Sequence, residues 1–457
     1  MNEWWFAVVA AGVLTVLVGG VTVGMATADA PEGFDHPLDP PDVFDATPPS
    51  EEGIVTLNGE AYPTVQAAVD AAAPGETVVV EGVIEERVVI ESPGIRIEGV
   101  DGPENAVIDG GAEETVIAVH AENVTIADLW IRESGYDRGT EDAGIVIDGA
   151  NATVSNVRIT EVTFGIWVNG VPGATIEEST IIGREGIDVY AQRGNGIHLW
   201  DADGAHVRDN NITNARDGIY FAWAEDVVAE GNVLWELRYG VHYMYSSDNR
   251  LSGNLAFDND IGFALMISQN LTIEDNVAAN NRGASGHGIL IKDIDRSDIR
   301  DNHVVDNDIG FTVYNAQDNR ITGNLILAND RGIHVTAGSH GELVVNNSFI
   351  DNGEAAFVDS RSQVSWNDTT RGNYWSDART IDLTGDGTSE VHHRPAGTVE
   401  QLVYERPQAG VFVASPAFDV VRLAESSFPV IVAPGAVDHH PLTEPPHDPG
   451  AYHEHHR

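Results

Sequence analysis

The sequence repeats itself at a period of 22 residues from about residue 90 onward, and this repeat constrains the fold more than any other feature. An asparagine recurs in the pairs "DN", "GN" and "NN", mostly at this step. A glycine recurs at the same period, eight residues after the asparagine in regular coils. The asparagines are Asn210, Asn232, Asn254, Asn276, Asn302, Asn324 and Asn347, and the glycines are Gly196, Gly218, Gly240, Gly262, Gly288, Gly310 and Gly332. Units this short and this rich in Val, Ile and Asn exclude the common helical repeats.

Each repeat unit is predicted to form three short strands. One apolar residue lies before the asparagine, another lies after it, and an apolar-x-apolar pair follows the glycine. Period-2 alternation inside a 22-residue turn predicts an all-β fold, a right-handed parallel β-helix in which the coils stack like on like. The asparagines then form a turn ladder, with side-chain amides bonded from coil to coil. We expect a short N-terminal capping helix at Val65–Ala73 and an irregular or helical C-terminal extension.

Three inserted loops indicate which edge of this helix is the working one. They follow Asp128, Ser179 and Asn276, and all three emerge at the same point of the coil, just before the repeat glycine. If the first and third residues after the glycine point inward, the second and fourth point outward. The second-position ladder is Trp167, His198, Tyr220, His242, Ala264, Leu290, Thr312 and His334, and the fourth-position ladder is Asn169, Trp200, Ala222, Met244, Met266, Lys292, Tyr314 and Thr336.

Met244 and Met266 are consecutive rungs of the fourth-position ladder, and Lys292, the only lysine of the chain, is the next rung. Thioether sulfur is a soft ligand that prefers Cu(I), and imidazole binds either copper state. Met244 and Met266 with His242 therefore form a candidate transient copper site, and His287 in the third inserted loop is a candidate fourth ligand. The alternative is an exposed stripe that packs under the loops or against a protein partner.

Six residues on or beside these ladders form a candidate partner-binding face: His198, Trp200, Tyr220, Trp223, Tyr245 and Lys292. The ladders between residues 196 and 336 contain no Asp or Glu. A polysaccharide lyase, hydrolase or uronate epimerase on this fold would need an acid–base pair, or calcium with a basic cluster, on its outward face. Such an enzyme is an alternative function, and a docking scaffold that neither binds copper nor catalyses is a third.

The regions on either side of the repeat complete the predicted organisation. Residues 1–30 contain a long apolar stretch followed by Ala28-Asp29-Ala30, so they are a signal peptide or a membrane anchor, and either one exports the rest of the chain. Residues 31–54 are a Pro- and acid-rich linker, 55–370 the β-helix, 371–436 a C-terminal capping and docking region, and 437–457 a His-rich disordered tail. In "DLTGDGTSE", Asp382, Asp386 and Glu390 have a spacing similar to that of a calcium loop, although an Asx-turn connector explains them as well.

The composition excludes several functional classes. A net charge of −48, with arginine in place of almost every lysine and 42% hydrophobic residues, is typical of adaptation to high salt and not of disorder. Such a charge opposes binding to nucleic acid. The chain has no cysteine, so any metal must be held by His, Met, carboxylate or backbone oxygen.

The ordered motifs "RDGIYFAW", "RYGVHYMYSSDN", "GFALMIS", "GILIKDI", "RGNYWSD", "DLTGDG" and "SPAFDVVRLAESSFPVIVAP" resemble the NosD family, over about residues 55–443. The resemblance implies an exported accessory protein, not an enzyme, that works beside an ABC transporter (membrane subunit and ATPase) and a copper chaperone. It also implies a role in building the copper–sulfur cluster of nitrous oxide reductase. On this resemblance, "HYMYS", "ALM" and "LIKDI" correspond to His242, Met244, Met266 and Lys292. The His-rich tail and the lack of an N-terminal basic region depart from the family.

Overall fold

The computed structural model describes residues 40–447, except for residues 138, 140, 337, 361, 396–397, 413–414 and 428–434. The predicted signal peptide or anchor, residues 31–39 of the predicted linker and residues 448–457 of the predicted tail lie outside the described residues. The described chain is an all-β right-handed parallel β-helix, as the repeat predicts. Within the described residues, no helix has the length and apolar character that a membrane span requires.

Each coil contributes one strand to each of three walls. Wall 1 contains the strands around the repeat glycine, and in the described chain it is a parallel sheet of 12 strands. These strands are Val88–Ile90, Ile117–Val119, Ala143–Ile147, Phe164–Asn169, Ile197–Trp200, Asp217–Ala222, Tyr239–Met244, Ile261–Gln269, His287–Asp295, Ile309–Tyr314, Arg331–Val335 and Glu354–Val358.

Wall 2 contains the strands before the repeat asparagine, and wall 3 contains the strands after it. Wall 2 consists of Arg96–Gly99, Thr125–Ala127, Thr153–Ser155, Thr175–Glu177, His206–Arg208, Val228–Glu230, Arg250–Ser252, Thr272–Glu274, Asp298–Arg300, Arg320–Thr322 and Leu343–Val345. Wall 3 consists of Ala106–Asp109, Trp130–Arg132, Arg158–Val162, Thr180–Gly183, Asn211–Thr213, Val233–Trp235, Leu255–Phe257, Val277–Ala279, His303–Val305, Leu325–Leu327, Ser348–Ile350 and Tyr374–Trp375. The longer strand Thr77–Glu85 pairs with both of these walls.

The interior is filled by apolar side chains stacked on their counterparts in neighbouring coils. The first and third residues after the repeat glycine are buried, as the alternation predicts. Tyr243, for example, is fully buried and stacks on Phe221 with ring centroids 4.2 Å apart. The repeat glycine itself is required by a close approach, because a Cβ atom at Gly240 would lie 2.6 Å from the carbonyl oxygen of Gly262. Burial of each large apolar side chain contributes about 1.5–3 kcal/mol, which makes the stacked interior the main source of stability.

The repeat asparagines form the predicted ladder. The side-chain amide of Asn254 donates to Oδ1 of Asn276 at 3.0 Å and to the carbonyl oxygen of Ala229 at 3.0 Å, while its own Oδ1 accepts from Nδ2 of Asn232 at 2.8 Å. A second ladder of the same kind, which the repeat did not predict, lies five residues further along each coil and is buried except at its last member: Asn259, Asn281, Asn307, Asn329 and Asn352. Both ladders satisfy buried backbone groups at the corners between walls.

The N-terminal end of the solenoid is covered by a helix and a hairpin. Helix α1, Val65–Ala71, begins at the N-cap Thr64, whose hydroxyl accepts from the backbone N–H of Ala67 at 3.0 Å. Val65, Ala68 and Val69 are buried against the first coil. The strands Ile54–Leu57 and Glu60–Tyr62 form an antiparallel hairpin that also pairs with Thr77–Glu85. The predicted capping helix is therefore confirmed.

The C-terminal extension contains α2, Thr398–Glu405, and α3, Pro416–Ser427, and its end returns to the last coils. The strand Gly435–Val437 pairs with Gln363–Ser365, and the next residue, Asp438, is fully buried. Its carboxylate accepts hydrogen bonds from the backbone N–H of Asn373 at 2.7 Å and from Nε1 of Trp375 at 2.9 Å. The described first half of the expected disordered tail, residues 437–447, thus has a defined place, because one buried acidic residue anchors it.

Candidate functional site

The rungs of wall 1 pair in the register that the repeat predicts. Met244 is paired with Ala222 on one side and with Met266 on the other, and Met266 is paired with Lys292. Met244 and Met266 are half-buried and are not part of the solenoid interior. Met266 packs against the small outer cluster of Ile261, Ala264 and Leu290. Two thioethers that are 22 residues apart in the chain are therefore neighbours on the outer side of one wall.

A column of rings rises beside the methionines along the second-position ladder. Trp167 and His198 stack with centroids 3.7 Å apart, His198 meets Tyr220 edge-on at 4.7 Å, and Tyr220 lies 4.8 Å from His242. The distances between successive rings follow from the distance between adjacent strands, which is ~4.8 Å in a parallel sheet. The column ends at His242, since the next rung is Ala264.

His242 is held by the buried carboxylate of Asp217, a residue outside the predicted ladders. Its Nδ1 donates to Oδ2 of Asp217 at 3.0 Å, and Arg238 donates to both carboxylate oxygens of Asp217 at 2.8 and 2.6 Å. Burial acts to raise the pKa of Asp217, but the hydrogen bonds from His242 and Arg238 outweigh burial and hold that pKa below its usual value. Asp217 is therefore ionised at neutral pH, and it fixes the Nδ1–H tautomer of His242. That tautomer leaves Nε2 as the basic nitrogen of the ring.

The position of Asp217 explains why it was missed. It lies immediately before the repeat glycine, where strict alternation would place it inward. The ladder pairs Asp217 with Tyr239 and then Ile219 with Val241. Gly218, which lies between these two residues, is not paired, and this break in the alternation turns the side chain of Asp217 to the outer side of the wall. Asn195 and His287 also precede a repeat glycine, and their side chains point outward for the same reason.

A cleft of about 360 Å³ opens along the ring column, and its lining includes Trp167, His198, Trp200, Tyr220, Asp217 and His242. Burial lowers the pKa of His198 to about 3, so this imidazole is neutral over the physiological range. Its Nδ1 lies 3.2 Å from Nδ2 of Asn195, which makes Nδ1 the acceptor of that bond. The cleft therefore presents the neutral imidazole of His198 and aromatic faces, and its lining also includes Glu141, Arg216 and Arg238. Arg238 neutralises the charge of the buried carboxylate of Asp217.

In every described coil between residues 201 and 315, the fifth residue after the repeat glycine, next to the fourth-position ladder, has left-handed backbone. Asp201, Asp293 and Asn315 occupy this fifth position with φ of 47°, 54° and 49°. Trp223, Tyr245 and Ile267 adopt φ of 60°, 56° and 51°, although bulky and β-branched side chains disfavour this region. Left-handed backbone also recurs at other turns of the solenoid, such as Glu161 and Glu236, so the stacked coils impose it.

The strained aromatic pair is also exposed. Trp223 and Tyr245 stack with centroids 4.5 Å apart and planes 8° from parallel, and their exposures are 52% and 43%. Trp200, at 44%, and Tyr314, at 47%, add further exposed rings to the same wall. Of the predicted partner-binding residues, His198 and Tyr220 line the cleft, Trp223 and Tyr245 project from the wall, and Trp200 does both.

His287 and Lys292 lie further along the wall. The strand register places His287 beside Ile261 and Ile309, with Tyr239 one rung below Ile261, and its Nδ1 lies 3.1 Å from the hydroxyl of Thr312. The structure therefore does not bring it to His242. The ammonium of Lys292 lies 5.9 Å from the ring centroid of Tyr314.

The predicted calcium-like loop uses its carboxylates on its own backbone. Asp382 accepts from the N–H groups of Gly385 and Gly387, and Asp386 accepts from Thr388. Glu390 accepts from the N–H of Leu383 at 2.9 Å. This is Asx-turn geometry, and it does not support a calcium site. Across the described residues, no three His, Asp or Glu side chains converge as a metal-binding group.

Comparison with known proteins identifies the relatives of this chain. A family model described as "Periplasmic copper-binding protein (NosD)" matches residues 179–380. A Pseudomonas aeruginosa protein named "Probable ABC transporter binding protein NosD" is 35% identical over 358 residues, which cover 75% of this chain and 82% of the relative. A Stutzerimonas stutzeri protein of the same name is 35% identical over 359 residues, which cover 75% and 81%.

Solved structures agree on the fold. The A-module of the mannuronan C-5 epimerase AlgE6 from Azotobacter vinelandii has a TM-score of 0.55 at 16% identity, and the match covers 68% of this chain and 95% of the module. The Streptococcus pneumoniae surface protein and adhesin PfbA has a TM-score of 0.50 at 13% identity, with 64% and 95% covered. At this identity the likeness shows the parallel β-helix alone.

The fold and the site define a parallel β-helix protein whose outer wall bears a methionine pair beside a histidine and aromatic cleft. Within that class, the chain belongs to the NosD family. The family model describes a periplasmic copper-binding protein, and the relatives are named as binding proteins and not as enzymes.

Proposed function

We propose that this protein is an exported accessory factor that assists assembly of the copper–sulfur cluster of nitrous oxide reductase and holds copper transiently on wall 1. In this proposal it acts with an ABC transporter, both its membrane subunit and its ATPase, and with a copper chaperone. The family description as copper-binding and periplasmic supports the metal and the compartment, and the relatives' name supports the transporter. The N-terminal segment would serve as the export signal or the anchor.

The observation that carries the copper proposal is the pairing of Met244 with Met266 on adjacent rungs. Adjacent parallel strands are about 4.8 Å apart. A zinc–thiolate bond is ~2.3 Å long, so two sulfurs at the rung spacing are separated by about twice a metal–sulfur bond. When the two thioethers extend in parallel from paired rungs, a soft ion therefore fits between their sulfurs without backbone movement. Both side chains are half-buried, which shields the ion while leaving one side open for transfer.

His242 is the proposed third ligand. It lies two residues before Met244 on the same outer side of the strand, and Asp217 fixes the tautomer that leaves Nε2 basic. A carboxylate that orients a ligating histidine in this way is a common support for protein metal sites. His287, the candidate fourth ligand, lies near Thr312 and is left out of the proposed set.

The partner contacts are proposed at two places. Trp200, Trp223 and Tyr245 form the exposed aromatic face beside the methionines, where copper would enter or leave with a protein partner. Lys292 lies beside this face and is the only lysine or arginine on the two outward ladders. The second place is the C-terminal region, where Val420, Val421 and Leu423 of α3 are exposed. A helix that exposes apolar side chains in this way suits docking to the transporter.

The test is a Cu(I) titration against a chromogenic Cu(I) chelator, with loading of the reductase as a second readout. Met244→Leu with Met266→Leu keeps the volume and removes both sulfurs, so we expect affinity to fall at least about tenfold, that is, by ~1.4 kcal/mol or more. Tyr314→Leu is the matched control, because it changes an exposed rung two coils from Met266 without touching sulfur. Equal Cu(I) affinity in the wild type and the double variant would refute the copper site.

An alternative function, as a polysaccharide-active enzyme, rests on one observation. Asp217 and His242 form a carboxylate–imidazole pair within an aromatic-lined cleft, which is an arrangement that a polysaccharide lyase or epimerase could use as a base. Turnover of polyuronate, measured by absorbance of the unsaturated product or by change in uronate composition, would support an enzyme if His242→Gln abolishes it and the double methionine variant does not. We expect no turnover in any variant.

A further inference from the structure

A histidine pair far along the chain from wall 1 lies where the C-terminal segment returns to the solenoid. Nδ1 of His392 and Nδ1 of His439 are 3.2 Å apart, and their rings are perpendicular with centroids 4.5 Å apart. Both side chains are partly buried. Neither residue belongs to wall 1, so the pair is independent of the copper proposal.

The main chain holds these two residues opposite each other. His393 and Asp438 form an antiparallel bridge in which each donates its N–H to the other's carbonyl oxygen, at 2.9 and 2.8 Å. In an antiparallel ladder the neighbouring opposite pair, here His392 and His439, is the non-hydrogen-bonded one, whose side chains approach most closely. The bridge is fixed in turn by the buried carboxylate of Asp438 and by the N–H of His439, which donates to Oδ1 of Asn367 at 3.1 Å.

The separation of the two nitrogens fits a shared metal ion of one geometry. Two imidazole nitrogens each ~2.05 Å from an ion and 3.2 Å from each other subtend an angle of about 103° at it. That angle is close to the ~109° of a tetrahedral ion, whereas a linear ion would need the nitrogens ~4.1 Å apart. We propose that His392 and His439 form a two-histidine site for a tetrahedral divalent metal such as Zn²⁺, with its remaining two positions open to water or to a partner's ligand.

The electrostatic surroundings keep the ligands in the form that binds metal. Burial lowers the pKa of His392 and of His439, and the neighbouring His440 and Arg394 lower both further. Both imidazoles are therefore neutral at pH 7, as metal ligands must be. Arg394 opposes an incoming cation and Asp438 attracts one, so the site suits modest affinity and exchange.

The test uses the full chain titrated with Zn²⁺, and with Co²⁺ as a probe whose visible absorption reports tetrahedral coordination. The His-rich end of the chain is present in every variant, so the site is measured by difference. We expect His392→Asn and His439→Asn each to bind one equivalent fewer than the wild type, or to bind it at least about tenfold more weakly. The double variant should bind as many equivalents of Zn²⁺ as either single variant, because each substitution alone already removes the shared site.

His440→Asn is the matched control, since it changes the adjacent histidine and leaves the pair intact. Thermal unfolding of each variant establishes that it is folded. A measurement on the wild-type protein tests the site even if a variant fails to fold. Zn²⁺ should protect His392 and His439 from modification by diethylpyrocarbonate, and mass spectrometry measures the modification of each residue. Unchanged stoichiometry and affinity in both variants, or no protection by Zn²⁺, would show that the pair is only an imidazole–imidazole hydrogen bond.

Discussion

Replacing Trp223 and Tyr245 together by asparagine should destabilise the protein less than the loss of two half-buried rings alone predicts, while removing its partner binding. Both residues have left-handed backbone, with φ of 60° and 56°. The equivalent residue in other coils is Asp201, Asp293 or Asn315, the kinds of side chain that tolerate this conformation best. The aromatic pair is therefore held in a conformation that its own side chains disfavour.

The magnitude follows from two opposing contributions. Left-handed backbone costs an ordinary residue about 1–2 kcal/mol, and asparagine avoids much of this, so two substitutions should recover about 2 kcal/mol. Loss of the stacked pair costs about 0.5–1.5 kcal/mol beyond area burial. Both rings are about half exposed, so each substitution also removes about 100 Å² of burial, or ~2.5 kcal/mol. The net expectation is a destabilisation of about 4 kcal/mol, compared with about 6 kcal/mol if no backbone strain were relieved.

The assay is urea unfolding at one fixed salt concentration, followed by circular dichroism, together with co-purification of the transporter. Tyr314→Asn is the control, since Tyr314 is a half-exposed ring on the same wall without left-handed backbone, and here we expect the full loss of about 2.5 kcal/mol with no offset from strain. A fall in the urea midpoint of the double variant equivalent to about 6 kcal/mol or more would show that no backbone strain is relieved. Retained transporter binding would refute the partner role of the pair.

Further predictions concern buried polar groups and the methionine ladder. Asp217→Asn should destabilise the protein by about 3 kcal/mol at pH 7, because it removes the buried carboxylate that pairs with Arg238 and His242. In the wild type, the stability that the ionised carboxylate contributes should be lost as pH falls below about 4, and the urea midpoints of the variant should not show this loss. Burial raises the pKa of Glu342 to about 7, so stability should decline as pH rises from about 4.5 to 7, and Glu342→Gln should remove the decline. Asn254→Ala should cost about 2–4 kcal/mol in urea unfolding, since it leaves ladder groups unsatisfied. Lys292→Met should strengthen Cu(I) binding at Met266 relative to Lys292→Leu, since both remove the cation and only one adds sulfur.

The fold and the outward ladders could be predicted because the repeat transmits one register through many coils. Once Met244 and Met266 were aligned on their glycines, their pairing followed from stacking alone. Asp217 could not be found in the same way. Its side chain turns outward because the alternation is interrupted at Gly218, and neighbouring residues carry no sign of that interruption.

The strained fifth position and the return of the C-terminal segment escaped prediction for different reasons. Trp223, Tyr245 and Ile267 are not left-handed formers, so their conformation is imposed by the stacked coils on either side and is invisible in local propensity. Residues 437–447 have the composition of a solvated tail. Their placement depends on Asp438, one polar side chain that fits a buried set of donors some 65 residues earlier in the chain.

The distribution of charge over the molecule bears on which metal wall 1 could hold. A net charge of −48 draws cations of every kind towards the protein, even though salt limits the range of that attraction. Carboxylate and carbonyl oxygens select Mg²⁺, Ca²⁺ and Mn²⁺, whereas thioether and imidazole favour copper. The outward ladders of wall 1 lack acidic residues from 196 to 336, and the carboxylate of Asp217 that enters the cleft is already bound by Arg238 and His242. Hard cations gathered by the acidic surface therefore meet no free oxygen ligand on these ladders, while a soft ion meets two sulfurs and a basic imidazole nitrogen.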